Sequence, residues 1–190
     1  DASIFSQGEN SAMTIDDYVY DPRDATNVNC VVTFAKGVFR AVTGKITALN
    51  PERFKVQTRM ATIGIRGCEL AFVVDDSGDA KIYVLDLPAD HSVVVEPTRV
   101  ARRELAKKSA MVSPAERKDK KAKVAAAAGE KGESASSDRD ELRESSAPPL
   151  QVRAAGTLIS VHKTGELGAP VRYDAKEVEG LIGATTLPAI

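Results

Sequence analysis

Large apolar side chains recur along the first half of the chain in short runs, broken every 8 to 12 residues by Gly, Pro or acidic turns. The runs are rich in Val, Ile, Thr and Phe and alternate with a period of two, the mark of half-buried strands. The pattern predicts strands at about 2–6 and 11–20, with Gly8-Glu9-Asn10 as the turn between them. Asp21-Pro22-Arg23-Asp24 ends the second, since Pro cannot continue a central ladder. Asn27 to Phe34 reads as a third strand, Lys36-Gly37 as a corner, and Val38 to Thr43 as a fourth strand that Ile46 to Leu49 extends. Phe54 to Thr58, Ala61 to Ile65, Cys68 to Val74, Lys81 to Leu85 and Ser92 to Val95 complete the set. Cys68 to Val74 is apolar on both faces, which calls for burial on both sides or a tight roll. No long helical pattern intervenes before residue 98, so a parallel sheet with helical crossovers is not expected. The fold class is all-β: a compact roll of short strands, followed by a charged helical and disordered segment and a short β-containing tail.

Composition changes at residue 97 and divides the chain into four parts, 1–97, 98–128, 129–149 and 150–190. The stretch 98–128 is rich in Ala, Lys, Arg and Glu. Thr98 is placed to cap one helix, and Ser113-Pro114 starts a second, with Ser at the cap and Pro in the first turn. Residues 129–149 are mostly Glu, Ser, Gly, Asp and Pro, too polar to offset chain entropy, and read as a disordered linker. The tail regains strand character at Leu150 to Val152, Thr157 to Val161 and Val171 to Tyr173, with a helical turn or two over Lys176 to Ile182. It has too few apolar residues for a core of its own, which leaves three fates: docking on the β domain, pairing with a partner, or staying loose.

The stretch Val38 to Glu69 also carries a family resemblance. GVFRAVTGKI, NPERFKVQT and ATIGIRG, in that order, with FSQGENSAMTIDDYVYDP upstream, resemble the core of the FecR-like domain over about residues 1–96. Arg59 stands where the family usually has Pro, and Cys68 where it usually has Thr. The resemblance implies a compact all-β domain whose strands wind in a solenoid-like roll, placed outside the cytoplasm and working by protein contact, with a partner in the cell envelope. In the best-known members such a domain relays a signal from an outer-membrane transporter to a sigma factor. Those members carry a cytoplasmic segment and a transmembrane helix ahead of it, so a sigma-factor regulator is the alternative reading.

The candidate chemistry is sparse. Gly64, Arg66 and Gly67 read as an architectural corner, with Arg66 half-buried and bonded to carbonyls. Asp75, Asp76 and Asp79 lack the Gly and Glu spacing of a calcium loop and read as a solvated hairpin turn, and Asp16, Asp17, Asp21 and Asp24 read as an exposed strand end and turn. His91 and His162 are isolated, and Cys30 and Cys68 read as two small buried hydrophobes. No nucleophile with a convergent base stands out, so the chain reads as a binding protein without catalytic residues, cofactor or metal.

Net charge is only −1, but the basic residues cluster between 99 and 123. Arg102, Arg103, Lys107, Lys108, Lys118, Lys120 and Lys121 are candidate contacts to a polyanion or a membrane surface. This supports a further alternative, a surface-adhesion or polysaccharide-binding module. No aromatic residue interleaves the run, which argues against nucleic acid. The chain begins Asp1-Ala2-Ser3, without Met, in a strand-like region, and reads as trimmed or partial, so the lack of a signal peptide carries no weight.

Overall fold

A computed structural model describes residues 1–111 and 148–185. The all-β expectation holds: eleven strands among these residues form one sheet that curls into a half-barrel. They are β1 (Ile4–Gln7), β2 (Ala12–Tyr20), β3 (Val28–Val42), β4 (Phe54–Gln57), β5 (Ala61–Ile65), β6 (Glu69–Val74), β7 (Ala80–Asp86), β8 (Val93–Pro97), β9 (Leu150–Val152), β10 (Thr157–Val161) and β11 (Val171–Arg172). The helices are α1 (Lys45–Leu49), α2 (Arg99–Met111) and α3 (Ala175–Thr185), with a 3-10 turn at Pro51–Arg53. The main path runs β11-β10-β7-β6-β3-β4-β5-β8-β9, and β1 and β2 join it through β3.

The 15-residue β3 is the spine. Its first half pairs with β2 and β4, its second with β1 and β6. The expected corner at Lys36-Gly37 is not a break between strands. The ladder continues through it, but the inward positions change parity: Cys30, Val32 and Phe34 point into the core, then Phe39 and Ala41. A bulge opposite Ala12 and Met13 takes up the odd residue. Gly37 makes the change possible with φ +111, and a Cβ there would lie 2.1 Å from the Ser11 hydroxyl.

Two further expectations are corrected. Ile46 to Leu49 does not extend a strand. It forms α1, in which Ile46 and Leu49, three residues apart, both turn toward the core. α1 and the 3-10 turn carry the chain across so that β4 lies parallel to β3, a parallel pair with a helical crossover that the sequence reading did not expect.

The core lines the inside of the curl. Phe34, Phe54, Ile63, Ile65, Leu70, Phe72 and Ile82 are fully buried there. Ile159 and Val161 of β10 and Val152 of β9 belong to the same cluster. Of the three fates left to the tail, docking is the one observed: β9 pairs with β8, and β10 with β7.

β6 is buried on both sides, as its two apolar faces require. α3 covers the outer face of β6 and β7, where Ala71, Tyr83 and Val178 form a second cluster with Leu181 and Ile182 against it. The Asp174 carboxylate accepts the Lys176 N–H at 3.0 Å and starts the helix. Tyr83, 1% exposed, donates its hydroxyl to Glu177 at 2.5 Å, and Lys81 reaches the same oxygen at 3.2 Å. Burial, then the Glu177 carboxylate, pushes the Tyr83 hydroxyl pKa up. The Tyr83 hydrogen bond, then Lys81, holds the Glu177 carboxyl below its ordinary value.

A carboxyl whose pKa is depressed by folding stabilises the fold above its unfolded pKa, about 4.3 for Glu, and loses that contribution as pH falls through the folded value. Glu177→Gln should therefore lower the melting temperature near neutral pH, and the gap to wild type should close in acid. A gap that stays constant across the acid range would show that ionisation of Glu177 does not hold α3.

Candidate functional site

The N-terminal segment follows β3 antiparallel from Val42 back to Val28, first as β1 and then as β2. Among the described strands β2 pairs only with β3, so its other edge is open over nine residues. Its side chains are mostly exposed. Ile15 is 58% exposed, Tyr18 48% and Val19 38%. A second bulge, between Ile15 and Asp17, sets Asp16 and Asp17 on the strand. Thr33 donates to Asp16 and Asn29 to Asp17, each at 2.6 Å, so the carboxylates are fixed against β3. Asp21 and Asp24 continue the acidic character into the turn. Asp21 accepts from the Arg23 backbone and guanidinium, and Asp24 accepts from Thr26, which lowers its pKa. The strand thus shows exposed apolar groups and negative charge along one free edge.

The Gly64 to Gly67 segment is arranged differently from expectation. Gly64 and Ile65 lie within β5, and the corner starts after them. Arg66 is exposed and pairs with Glu52 at 3.0 Å, not with carbonyls. Exposed pairs of this kind contribute about 0–1 kcal/mol. The architectural part is Gly67, at φ +61, whose carbonyl lies 2.7 Å from His91 Nδ1. A Cβ on Gly67 would stand 2.6 Å from that ring.

The basic run is only partly described. Thr98 caps α2 by accepting the Ala101 N–H at 3.3 Å. Arg102 turns back to the Pro97 carbonyl at 3.2 Å. Lys107 pairs with Glu104 and Lys108 with Glu166, both at 2.8 Å. The Lys108 hydrogen bond and charge keep the Glu166 carboxyl below its ordinary pKa. Arg103 has no ion-pair partner among the described residues. Lys118, Lys120 and Lys121, with the second expected helix and most of the expected linker, lie outside the described residues.

The other candidates have structural partners. Asp75 accepts from Ser77 and from the Asp79 N–H, which closes the hairpin turn and lowers its pKa. His162 Nδ1 stands 4.0 Å from Asp79. Cys30 and Cys68 are free, buried thiols. Burial pushes their pKa values up to about 11 and about 12, so both stay protonated at neutral pH.

The sequence reading missed Arg59 and Lys163 as partners of α2. Both line a cleft with Lys107 and Lys108. Neither had a local signal, because the turns that carry them meet only through the pairing of β10 with β7 and the packing of α2.

No described helix is long and apolar enough to cross a membrane. Comparison with known protein families, with characterised proteins and with solved structures found no match.

Proposed function

We propose that this chain is a non-enzymatic, FecR-like interaction module of the cell envelope that recruits a protein partner through the free edge of β2. One observation carries the contact: a nine-residue edge strand with Ile15, Tyr18 and Val19 exposed. An open edge offers unpaired backbone N–H and C=O groups to an added strand. The bulge, Asp16 and Asp17 guard that edge against indiscriminate pairing. The same carboxylates favour a partner segment that alternates apolar with Lys or Arg side chains. The FecR-like segments within residues 1–96 support the envelope part of the reading.

The test is capture from envelope extract by the full chain and by an Ile15→Arg, Tyr18→Lys double variant, at low and high salt. Both side chains are exposed, but the Tyr18 hydroxyl donates to the Asp1 carboxylate at 3.1 Å, so a melting curve checks that the variant keeps its fold. The expected result is one partner that survives high salt, crosslinks within 12–20 and is lost from the variant. A partner that binds wild type and variant alike would sink the reading.

A further inference from the structure

Four cations from three separate parts of the chain meet at one cleft of about 580 Å3. Arg59 comes from the turn between β4 and β5, Lys107 and Lys108 from α2, and Lys163 from the turn after β10. Packing fixes the arrangement. Thr98, at the start of α2, donates its hydroxyl to the Arg59 carbonyl at 2.9 Å. The Lys163 backbone N–H donates to Asp79. The turn at Gly165 rests on the Ala101 backbone so closely that a Cβ would lie 2.5 Å from its carbonyl oxygen. Met60 and exposed Val100 add apolar surface to the wall.

Three carboxylates stand against the four cations: Glu104 pairs with Lys107, Glu166 with Lys108, and Asp79 accepts from the Lys163 backbone and from the Ser77 hydroxyl of the wall. Arg59 and Lys163 have no ion-pair partner among the described residues. The cleft therefore has two uncommitted cations and a third held by an exposed, displaceable carboxylate. No aromatic ring lines it, which leaves no platform for stacking a base or a sugar. Recognition must come from charge and from the guanidinium fork of Arg59, which fits oxyanions in two-point contact.

We propose that this cleft binds a multivalent phosphate ligand, with Arg59 and Lys163 as its main contacts and Glu166 as an internal competitor for Lys108. The site is distinct from the β2 edge and does not depend on that edge's role.

The probe is sodium tripolyphosphate, titrated calorimetrically into the full chain at low and high salt. Binding is expected to weaken as salt rises. Arg59→Ala with Lys163→Ala should weaken it at least about tenfold, the order of losing charge-assisted contacts. Glu166→Gln should tighten it several-fold by freeing Lys108. Opposite signs from two sets of residues in one cleft would not follow from a general loss of fold, and melting curves check each variant. The Lys118→Ala, Lys120→Ala, Lys121→Ala triple variant should bind like wild type. Phosphatidylglycerol vesicles, sedimented with the same proteins, form the second arm. Vesicle binding that the Arg59 and Lys163 changes abolish, without tripolyphosphate binding, would assign the phosphate to a lipid headgroup. No binding in either arm, or binding that depends on residues 118–121 and not on Arg59 and Lys163, would overturn the proposal.

Discussion

Phe34→Ala is expected to cost about 3–5 kcal/mol of folding stability, the range for removing a buried aromatic ring. Phe34 is fully buried at the point where β3 changes the parity of its inward positions. Its ring stacks on Phe39 at 4.2 Å and 5° between planes. It meets Phe72 edge-on at 5.0 Å and Phe5 at 6.4 Å. The cluster thus joins both halves of β3 to β6 and to β1, and such ring pairs add about 0.5–1.5 kcal/mol beyond their buried area. Removing the ring leaves a cavity that the surrounding strands, held in register by their ladders, have little freedom to fill. A domain typically has only about 5–15 kcal/mol in total, so urea unfolding should show a much earlier midpoint with little change in slope. Phe34→Leu, which keeps much of the volume, should fall between the two and remains measurable if the Ala variant does not fold. A loss below about 1 kcal/mol for Phe34→Ala would mean that the cluster is not where the two halves are joined.

The strands themselves were legible because their signal is local. Alternation, turn residues and Pro breaks mark β1, β2 and β4 to β8 within a residue or two, and the two apolar faces of Cys68 to Val74 correctly called for cover on both sides. Thr98 as the cap of α2 was legible for the same reason. Lys36-Gly37 was recognised as a special place but misread as a break, because positive φ in one residue can turn side chains over without interrupting the hydrogen bonds. Ile46 to Leu49 is too short for its period to separate helix from strand, and the crossover to the parallel β4 decided it. Arg66 was read from its apolar neighbours, yet a long side chain next to a corner swings outward, and Glu52 met it there. What one sequence does not reveal is who pairs with whom. The cleft needs Arg59 and Lys163 side by side, and they adjoin only because β10 pairs with β7 and α2 packs against the turn that follows β10.

That same pairing sets the second large effect. A chain ending at residue 149 is expected not to reach the native state, although everything in it that resembles a FecR-like domain is intact. Val152, Ile159 and Val161 are at most 4% exposed and sit in the main core. Each is an aliphatic group whose truncation to Ala costs up to about 2–5 kcal/mol for Ile and less for Val. Losing all three, with two edge ladders and the α3 cover over Tyr83, removes an amount comparable to the whole stability of a typical domain. It would also bare the edges of β7, with Ile82, Val84 and Leu85, and of β8, with Val93, Val94 and Val95, which invites aggregation. Circular dichroism and thermal melts should show no cooperative transition for residues 1–149, whereas Ile159→Ala in the full chain should fold with a loss of about 2–5 kcal/mol. If the tail acts by strand addition, a separate peptide of residues 150–190 should restore the transition when mixed with 1–149. A 1–149 chain that melts like the full protein would refute this account. It would return the tail to a partner-binding role and make the open edges of β7 and β8, not β2, the first places to look for the partner.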